Sequence, residues 1–368
     1  MNNKSSVKVF KEKETVIDTE KENLALKKMK KWLDKTFAFR KNIVGEVKLD
    51  IGYFANLIDI GSNIGLALST DGVGTKILVA QMMNKYDTVG IDCIAMNVND
   101  IICLGAEPLA LLDYIAVEIP DENLMEEIAK GLYEGSKIAK ITIPGGETAQ
   151  IGEIVKGTRK GYGFDLAGTC VGIVPVNKAI IGQNIDKEDV IVGLRSSGIH
   201  SNGLTLARKA LFKNCKLSVD EYIPECKRTL GEELLEPTHI YVPEIMEMLN
   251  SGMNIKALVN ITSDGFLNLT RVSKPVSFII ENLPEPQPIF NLIQRCGNIT
   301  DEEMFYVFNM GIGFCVVLPS EDADKAIKIA KKYNVEGFKI GYIVEDNERS
   351  VDIKPKRLIG KEKKFLRY

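Results

Sequence analysis

Histidine is scarce in this chain of 368 residues: there are two, His200 and His239, beside a single tryptophan. A metal site or a catalytic relay built from several imidazoles is therefore excluded. Paired thiols are missing as well. The seven cysteines, at 93, 103, 170, 215, 226, 296 and 315, are odd in number and form no Cys-x-x-Cys pair, so structural zinc has no ligand set. Cys93, Cys103 and Cys315 lie in apolar runs and read as small core side chains, which points to reduced thiols in the cytoplasm. No apolar run approaches the ~20 residues that cross a bilayer, so no membrane association is expected. The opening MNNKSSVKVFKEKE is polar and charged, unlike a secretory signal. The formal net charge is −3 and no long basic block interrupts the body of the chain, so nucleic-acid binding is not expected either. A GxGxxG dinucleotide fingerprint and a Ser or Cys nucleophile with a paired base are also lacking.

What is present reads as a two-domain α/β protein, since the length exceeds one ordinary domain. Residues 1–18 are polar. The stretch DTEKENLALKKMKKWLDKTF then sets Leu26, Met29, Trp32, Leu33 and Phe37 on one helical stripe, with Thr19 and Glu22 as a capping box. From 52 to 175 strands and helices alternate. Strands are expected at 64–70, 109–118, 141–143 and 164–174, and helices at 76–84, 88–103 and 121–139, the last opened by Asp121. A second domain begins near 176, with strands at 189–194, 256–262, 276–280, 313–318 and 338–344. Helices are expected there at 203–213, 238–250 and 322–333. The segment 281–288, ENLPEPQP, reads as a loop, and residues 347–368 as a solvated basic tail.

Four stretches stand out chemically. The first, TDGVGTK at 70–76, lies between a buried strand and a helix. Gly72 and Gly74 allow close backbone approach, successive amides make an anion-binding nest, and Thr75 and Lys76 offer a hydroxyl and a cation for phosphate. Asp71 would repel bare phosphate, so it points to Mg²⁺. An ordinary strand–helix turn with a surface lysine has the same appearance. In the second, GIDCIAMNVNDIICLGAEP, the polar residues Asp92, Asn97, Asn99 and Asp100 interrupt an apolar helix. Such groups are buried only with partners, which a metal–phosphate ligand or a hydrogen-bond network would provide. The third, IPGGETAQ, places Gly145, Gly146, Glu147 and Thr148 after a strand, with Glu147 a candidate Mg²⁺ ligand or base; Asp165 is a further acid for such a cluster. The fourth, SSGIHSNG, joins His200, Ser201 and Asn202 in a loop suited to a substrate phosphate and to proton handling. His239 reads as structural.

In order, DGVGTK, DTVGIDCIAMNVNDIICLGAEPLALLDYIA, GGETAQ, YGFDLAGTCVGIV, SSGIHSNGLTLARK, LLEPTHIYV, FNMGIGF and KIGYIV closely resemble aminoimidazole ribonucleotide synthetase (phosphoribosylformylglycinamidine cyclo-ligase) of purine biosynthesis. The resemblance runs from about Gly52 to Val344. It implies an α/β (α+β) subunit with an ATP-binding, dimerising domain at 1–175 and a C-terminal α/β sandwich forming the substrate cleft at 176–346. It further implies a homodimer whose N-terminal strands join into a barrel. The reaction implied converts formylglycinamidine ribonucleotide and ATP into aminoimidazole ribonucleotide, ADP and phosphate. Catalytic roles then fall to Lys76, His200 and Asp92. Nucleotide binding falls to Asp71, Gly72, Gly74, Thr75, Lys76, Asn99 and, on the N-terminal helix, Lys28. Mg²⁺ falls to Asp71, Asp92 and Glu147, and substrate to Gly145, Gly146, Glu147, Thr148, Ser201 and Asn202. Three departures run against the pattern: FKEKETVID replaces a Tyr-x-x-(Ala/Ser)-Gly-Val-Asp segment, Thr262-Ser263-Asp264-Gly265 replaces a TGGG turn, and His239 replaces an arginine. The alternatives are a sibling such as thiamine-monophosphate kinase or a non-catalytic nucleotide-binding paralogue.

Overall fold

The computed structural model describes residues 19–368, with side chains from Leu24 onward. The 10–18 segment and the Thr19–Glu22 capping box fall outside the described side chains.

The first domain is one six-stranded sheet backed by helices. Its strands are β1 (Glu46–Val47), β2 (Asn56–Asp59), β3 (Ile64–Gly72), β4 (Glu107–Val117), β5 (Thr142–Gln150) and β6 (Phe164–Pro175), in the order β1-β2-β3-β6-β4-β5. Only β4 and β5 run parallel. In β3 burial alternates: Gly65, Ala67 and Ser69 face the core, while Ile64 and Thr70 face outward. The core face carries α3 (Val89–Ile102), which packs on β3 and β6, and α3 in turn carries α4 (Glu122–Ala139). Asp121 caps α4 as expected, accepting the Leu124 N–H at 2.9 Å. The two helices touch through glycines: a Cβ on Gly90 would sit 2.3 Å from Leu132 N. Among the described residues nothing covers the other sheet face. Ile64, Leu112 and Tyr114 are exposed there by 43, 49 and 41 %. The helix α1 (Thr19–Leu33) is also uncovered, with Leu26, Met29 and Trp32 exposed along the stripe seen in the sequence. The short α2 (Lys76–Met83) follows β3.

One expectation fails in β5. PGGET is not a turn but the middle of a continuous strand, made possible because β4 pairs with it from Leu112 through Val117.

The second domain begins with β7 (Val190–Arg195). It continues with α5 (Leu204–Arg208), the small ribbon β8 (Tyr222–Ile223) and β9 (Arg228–Thr229), α6 (Leu230–Leu234) and α7 (Val242–Asn250). Then come β10 (Ala257–Asn260), β11 (Ser277–Ile280), α8 (Pro288–Gly297), α9 (Asp301–Val307), β12 (Ile312–Leu318), α10 (Ala323–Lys332) and β13 (Gly337–Val344). Every residue of β12 is buried, and all of β7 but Arg195, as expected of strands covered on both faces. Pro288 opens α8 at its first turn, where its missing N–H is harmless.

The chain end corrects the reading of a solvated tail. β14 (Val351–Ile353) pairs parallel to β11, and β15 (Leu358–Lys361) and β16 (Lys364–Arg367) extend the sheet to eight strands in the order β10-β12-β7-β13-β11-β14-β15-β16. The lysines face solvent while Val351, Ile353 and Leu358 are fully buried and Phe365 nearly so. A period-two pattern hidden among basic residues was the overlooked signal. Phe365→Ala is expected to cost about 3 kcal/mol, the low end for a buried aromatic. Urea unfolding measures this, and an unchanged midpoint would mean that the hairpin is not packed.

The expectation of reduced thiols is corrected for one pair. Cys215 and Cys296 form a disulfide with Cα atoms 5.4 Å apart, and the other five cysteines are free. The sequence separation of 81 residues hides a pairing that is made when α8 packs on the π-helical turn Lys209–Asn214. Among the described residues no helix is long and apolar enough to cross a membrane.

Candidate functional site

The glycine-rich turn forms because β3 ends on a tether: Val73 N–H donates to Leu166 O at 3.0 Å, and the Val73 side chain is fully buried. Gly74 then turns the chain at φ +69°, a left-handed conformation that favours glycine. Among the described residues nothing lies within 4 Å of where its Cβ would be, so the backbone is open to a ligand on that side. Thr75 caps α2 without a side-chain bond. Its Oγ1 lies 3.0 Å from Thr205 Oγ1 at the start of the second domain's first helix.

Asp71 is fixed by α3. Asn97 Oδ1 accepts the Asp71 N–H at 3.0 Å, and Asn97 Nδ2 donates to Asp71 O at 3.1 Å. Burial pushes the Asp71 carboxyl above its usual range, against a bond from its neighbour Gly72 N–H. Strand register then runs Asp71–Gly168–Asp113–Gly146 across four strands. Both acids lie on the core face, separated by two strand spacings, roughly 10 Å at Cα. A Cβ on Gly146 would sit 2.4 Å from Asp113 Oδ1, so only glycine leaves that carboxylate its place. Burial raises Asp113 too. Asp100, in the last turn of α3, accepts Asn260 Nδ2 at 2.9 Å. Burial lifts its pKa to about 7; the Asn260 bond opposes this, Asp71 adds to it, and Arg271 opposes it more weakly. Arg271 is itself held by Asp264 at 2.8 Å.

Lys76 is not a surface lysine. It is fully buried, its Nζ donating to Asp92 Oδ1 at 2.9 Å and to Glu236 O at 2.6 Å. Asp92, equally buried, also accepts the Thr238 N–H and hydroxyl, both at 2.7 Å. Asn99 sits seven residues on, on the same face of α3. It donates to His239 O at 2.8 Å and accepts Tyr241 N–H at 3.0 Å. Asp92 and Asn99 of α3 therefore join the two domains. Their partners are the residues 236–241, which precede α7 rather than starting it, so this helix begins four residues later than the sequence suggests.

His200 is buried as well. It is 3 % exposed at φ +60°, and its Nε2 accepts Ser197 N–H at 3.2 Å, closing its own loop. Burial, with Lys76 and His239 adding, pulls its pKa well below the imidazole range. Ser201 and Asn202 are half-buried in the same loop. Gly145, Glu147 and Thr148 are exposed on the edge strand β5. Glu147 pairs with Tyr114 and so faces the bare side of the sheet, opposite Asp113. Asp71, Asp92 and Glu147 thus do not meet in one chain, and among the described residues no group of three His, Cys, Asp or Glu is placed to hold a metal ion. Lys28 stands exposed on α1, which packs on the 3₁₀ segment Asp34–Arg40.

Sequence reasoning missed Asp113, Asn260, Arg271 and Thr238. For Asp113 the signal was there: a carboxylate on the core side of the apolar LALLDYIAV.

The first domain matches the family model described as AIR synthase related protein, N-terminal domain, over residues 52–174. The second matches the corresponding C-terminal domain over 186–354. The phosphoribosylformylglycinamidine cyclo-ligase of Methanocaldococcus jannaschii is 49 % identical over 91 % of this chain and 92 % of its own length. That of Pyrococcus horikoshii is 48 % identical over 90 % and 95 %. Among solved structures, thiamine-monophosphate kinase from Stenotrophomonas maltophilia superposes with a TM-score of 0.56 at 18 % identity, covering 85 % of this chain and 92 % of that one. A HypE–HypF complex gives 0.57 at 20 %, covering 87 % and 95 %. At such identities the structures establish a shared fold.

Proposed function

The chain belongs to the AIR synthase family, and from that premise we propose that it is an ATP-dependent cyclo-ligase. It closes formylglycinamidine ribonucleotide to aminoimidazole ribonucleotide, releasing ADP and phosphate. Near-half identity to cyclo-ligases over nine-tenths of both chains carries this reading.

A formamide oxygen is a poor leaving group. Moving the γ-phosphoryl of ATP onto it makes an imidate phosphate, and attack of an amidine nitrogen of the substrate on that carbon, with loss of its proton, expels phosphate and closes the ring. Phosphoryl transfer asks chiefly for position and charge balance. The amides of Gly74 and Thr75 receive phosphate at the open turn. Ser201 and Asn202 receive the substrate from the second domain. Lys76, Asp92 and Asn99 act by holding the two domains in register, not by touching phosphate.

The donor set suits Mg²⁺. Asp71 and Asp100 are crowded, buried carboxyls with raised pKa values, and they are hard oxygen donors of the kind that hold this ion together with phosphates and water. When bound, Mg²⁺ neutralises phosphate charge.

The bare sheet face supports a homodimer, with the strands of two copies closing a barrel. Ile64, Leu112 and Tyr114 would be its lining, and the edge strand β5 would bring Gly145, Gly146, Glu147 and Thr148 to the seam beside the substrate. The exposed stripe of α1, with Lys28, offers a further apolar surface to such a partner. The compartment is cytoplasmic, where purine synthesis draws on ATP.

Purified protein mixed with formylglycinamidine ribonucleotide, ATP and Mg²⁺ is expected to form a diazotisable aminoimidazole, one per ADP. ATP binding without that product would favour the non-catalytic paralogue.

A further inference from the structure

A hydroxyl relay at the domain seam has a fixed direction. Asp92 Oδ1 accepts the Thr238 backbone N–H and the Lys76 ammonium, so this oxygen carries no proton of its own. The Thr238 hydroxyl, 2.7 Å from it, must therefore be the donor of that bond. A hydroxyl has one proton to give. With that proton directed at Asp92, Thr238 Oγ1 can only accept from Ser201 Oγ, 3.0 Å away. The Ser201 proton is thereby committed as well. What Ser201 has left to offer, in its half-buried place on the loop, is lone pairs.

We infer that Ser201 meets its ligand as a hydrogen-bond acceptor, a polarity set by Asp92 through Thr238, and that the ligand group there is a hydroxyl or N–H donor and not a phosphate oxygen. Thr238 is a positioning residue. It is 3 % exposed and acts through Ser201. The name of the ligand rests on the cyclo-ligase reading: formylglycinamidine ribonucleotide carries ribose hydroxyls and amidine N–H groups besides its phosphate. The direction of the relay rests on Asp92 alone.

Two measurements test the inference. Neutron diffraction from deuterium-exchanged crystals of the whole protein is expected to place the Ser201 deuteron on the line to Thr238 Oγ1. A deuteron directed elsewhere overturns the relay. In steady-state kinetics, Thr238→Val is expected to raise KM for formylglycinamidine ribonucleotide about tenfold, as one misdirected hydrogen bond does. KM for ATP should stay within about twofold, and Thr238→Ser should restore the substrate KM. Ser201→Ala should show the same rise, and the double variant Thr238→Val/Ser201→Ala should be no worse than Ser201→Ala. Additive losses, an equal rise in KM for ATP, or no rescue by serine would mark Thr238 as merely structural and sink the inference. A wild type without turnover would strike the cyclo-ligase reading, and the deuteron position would still decide the relay.

Discussion

Asp92→Ala is expected to lower folding stability by about 3–5 kcal/mol and to abolish turnover with it. The magnitude follows from removing one member of a buried ion pair, which strands the other charge in a medium that cannot solvate it. Lys76 and Asp92 are both fully buried, and without Asp92 the ammonium keeps only Glu236 O. The Thr238 N–H and hydroxyl lose their acceptor in the same step. Lys76→Ala should do comparable damage, leaving a carboxylate with Thr238 alone. A surface lysine, as the turn's sequence also allowed, would have had no such effect; Lys76 is fully buried. A paired replacement separates charge from shape. Lys76→Met with Asp92→Asn removes both charges and keeps an amide oxygen for Thr238, so it should lie within about 2 kcal/mol of wild type. Urea unfolding followed by circular dichroism reads all three. A wild-type midpoint for Asp92→Ala would show that the pair is not sealed from water.

The second large effect is expected on the bare sheet. Leu112→Arg should leave the isolated subunit as stable as before, because the side chain is 49 % exposed in one chain. In a twofold dimer the change occurs twice, and each charge would be buried against apolar neighbours with no counter-ion. At about 3 kcal/mol per site, and 1.4 kcal/mol per tenfold, the dimer constant should weaken by roughly 10⁴. Sedimentation velocity at micromolar concentration should then show monomers. Turnover should fall with the dimer, since the seam would no longer hold Glu147 and Thr148. A dimeric Leu112→Arg protein would place the partner elsewhere.

Much of the fold was legible because periodicity and punctuation are local. The 3.6-residue pattern gave α3 and α4, Asp121 announced its helix, and the buried runs VIVGL and GFCVVL announced central strands. The site was legible in its residues but not in their pairings. Asp92 in an apolar helix correctly signalled a costly buried carboxylate. Whether its partner was a metal or a lysine depends on Lys76, sixteen residues back, and on Thr238, which is brought to it only by domain packing. His200 misled for a related reason. A glycine- and serine-rich loop can expose a side chain or fold it inward, and composition does not distinguish the two. Glu147 was placed with Asp71 by type alone, while strand alternation sends it to the opposite face of the sheet. The closing strands were missed because their apolar positions are diluted by lysine and arginine.

The order of strands in the second sheet has a consequence for biosynthesis. β7 lies between β12 and β13, yet it leaves the ribosome about 120 residues ahead of the first of them. At 5–20 residues per second that interval is roughly 6–24 s. For that time the nascent chain carries VIVGL with both hydrogen-bonding edges unfilled, while the first domain, whose strands are all already made, can complete its sheet. The half of the molecule nearer the start thus has its whole sheet available first, while its buried Lys76, Asp92 and Asn99 wait for residues 236–241 to emerge.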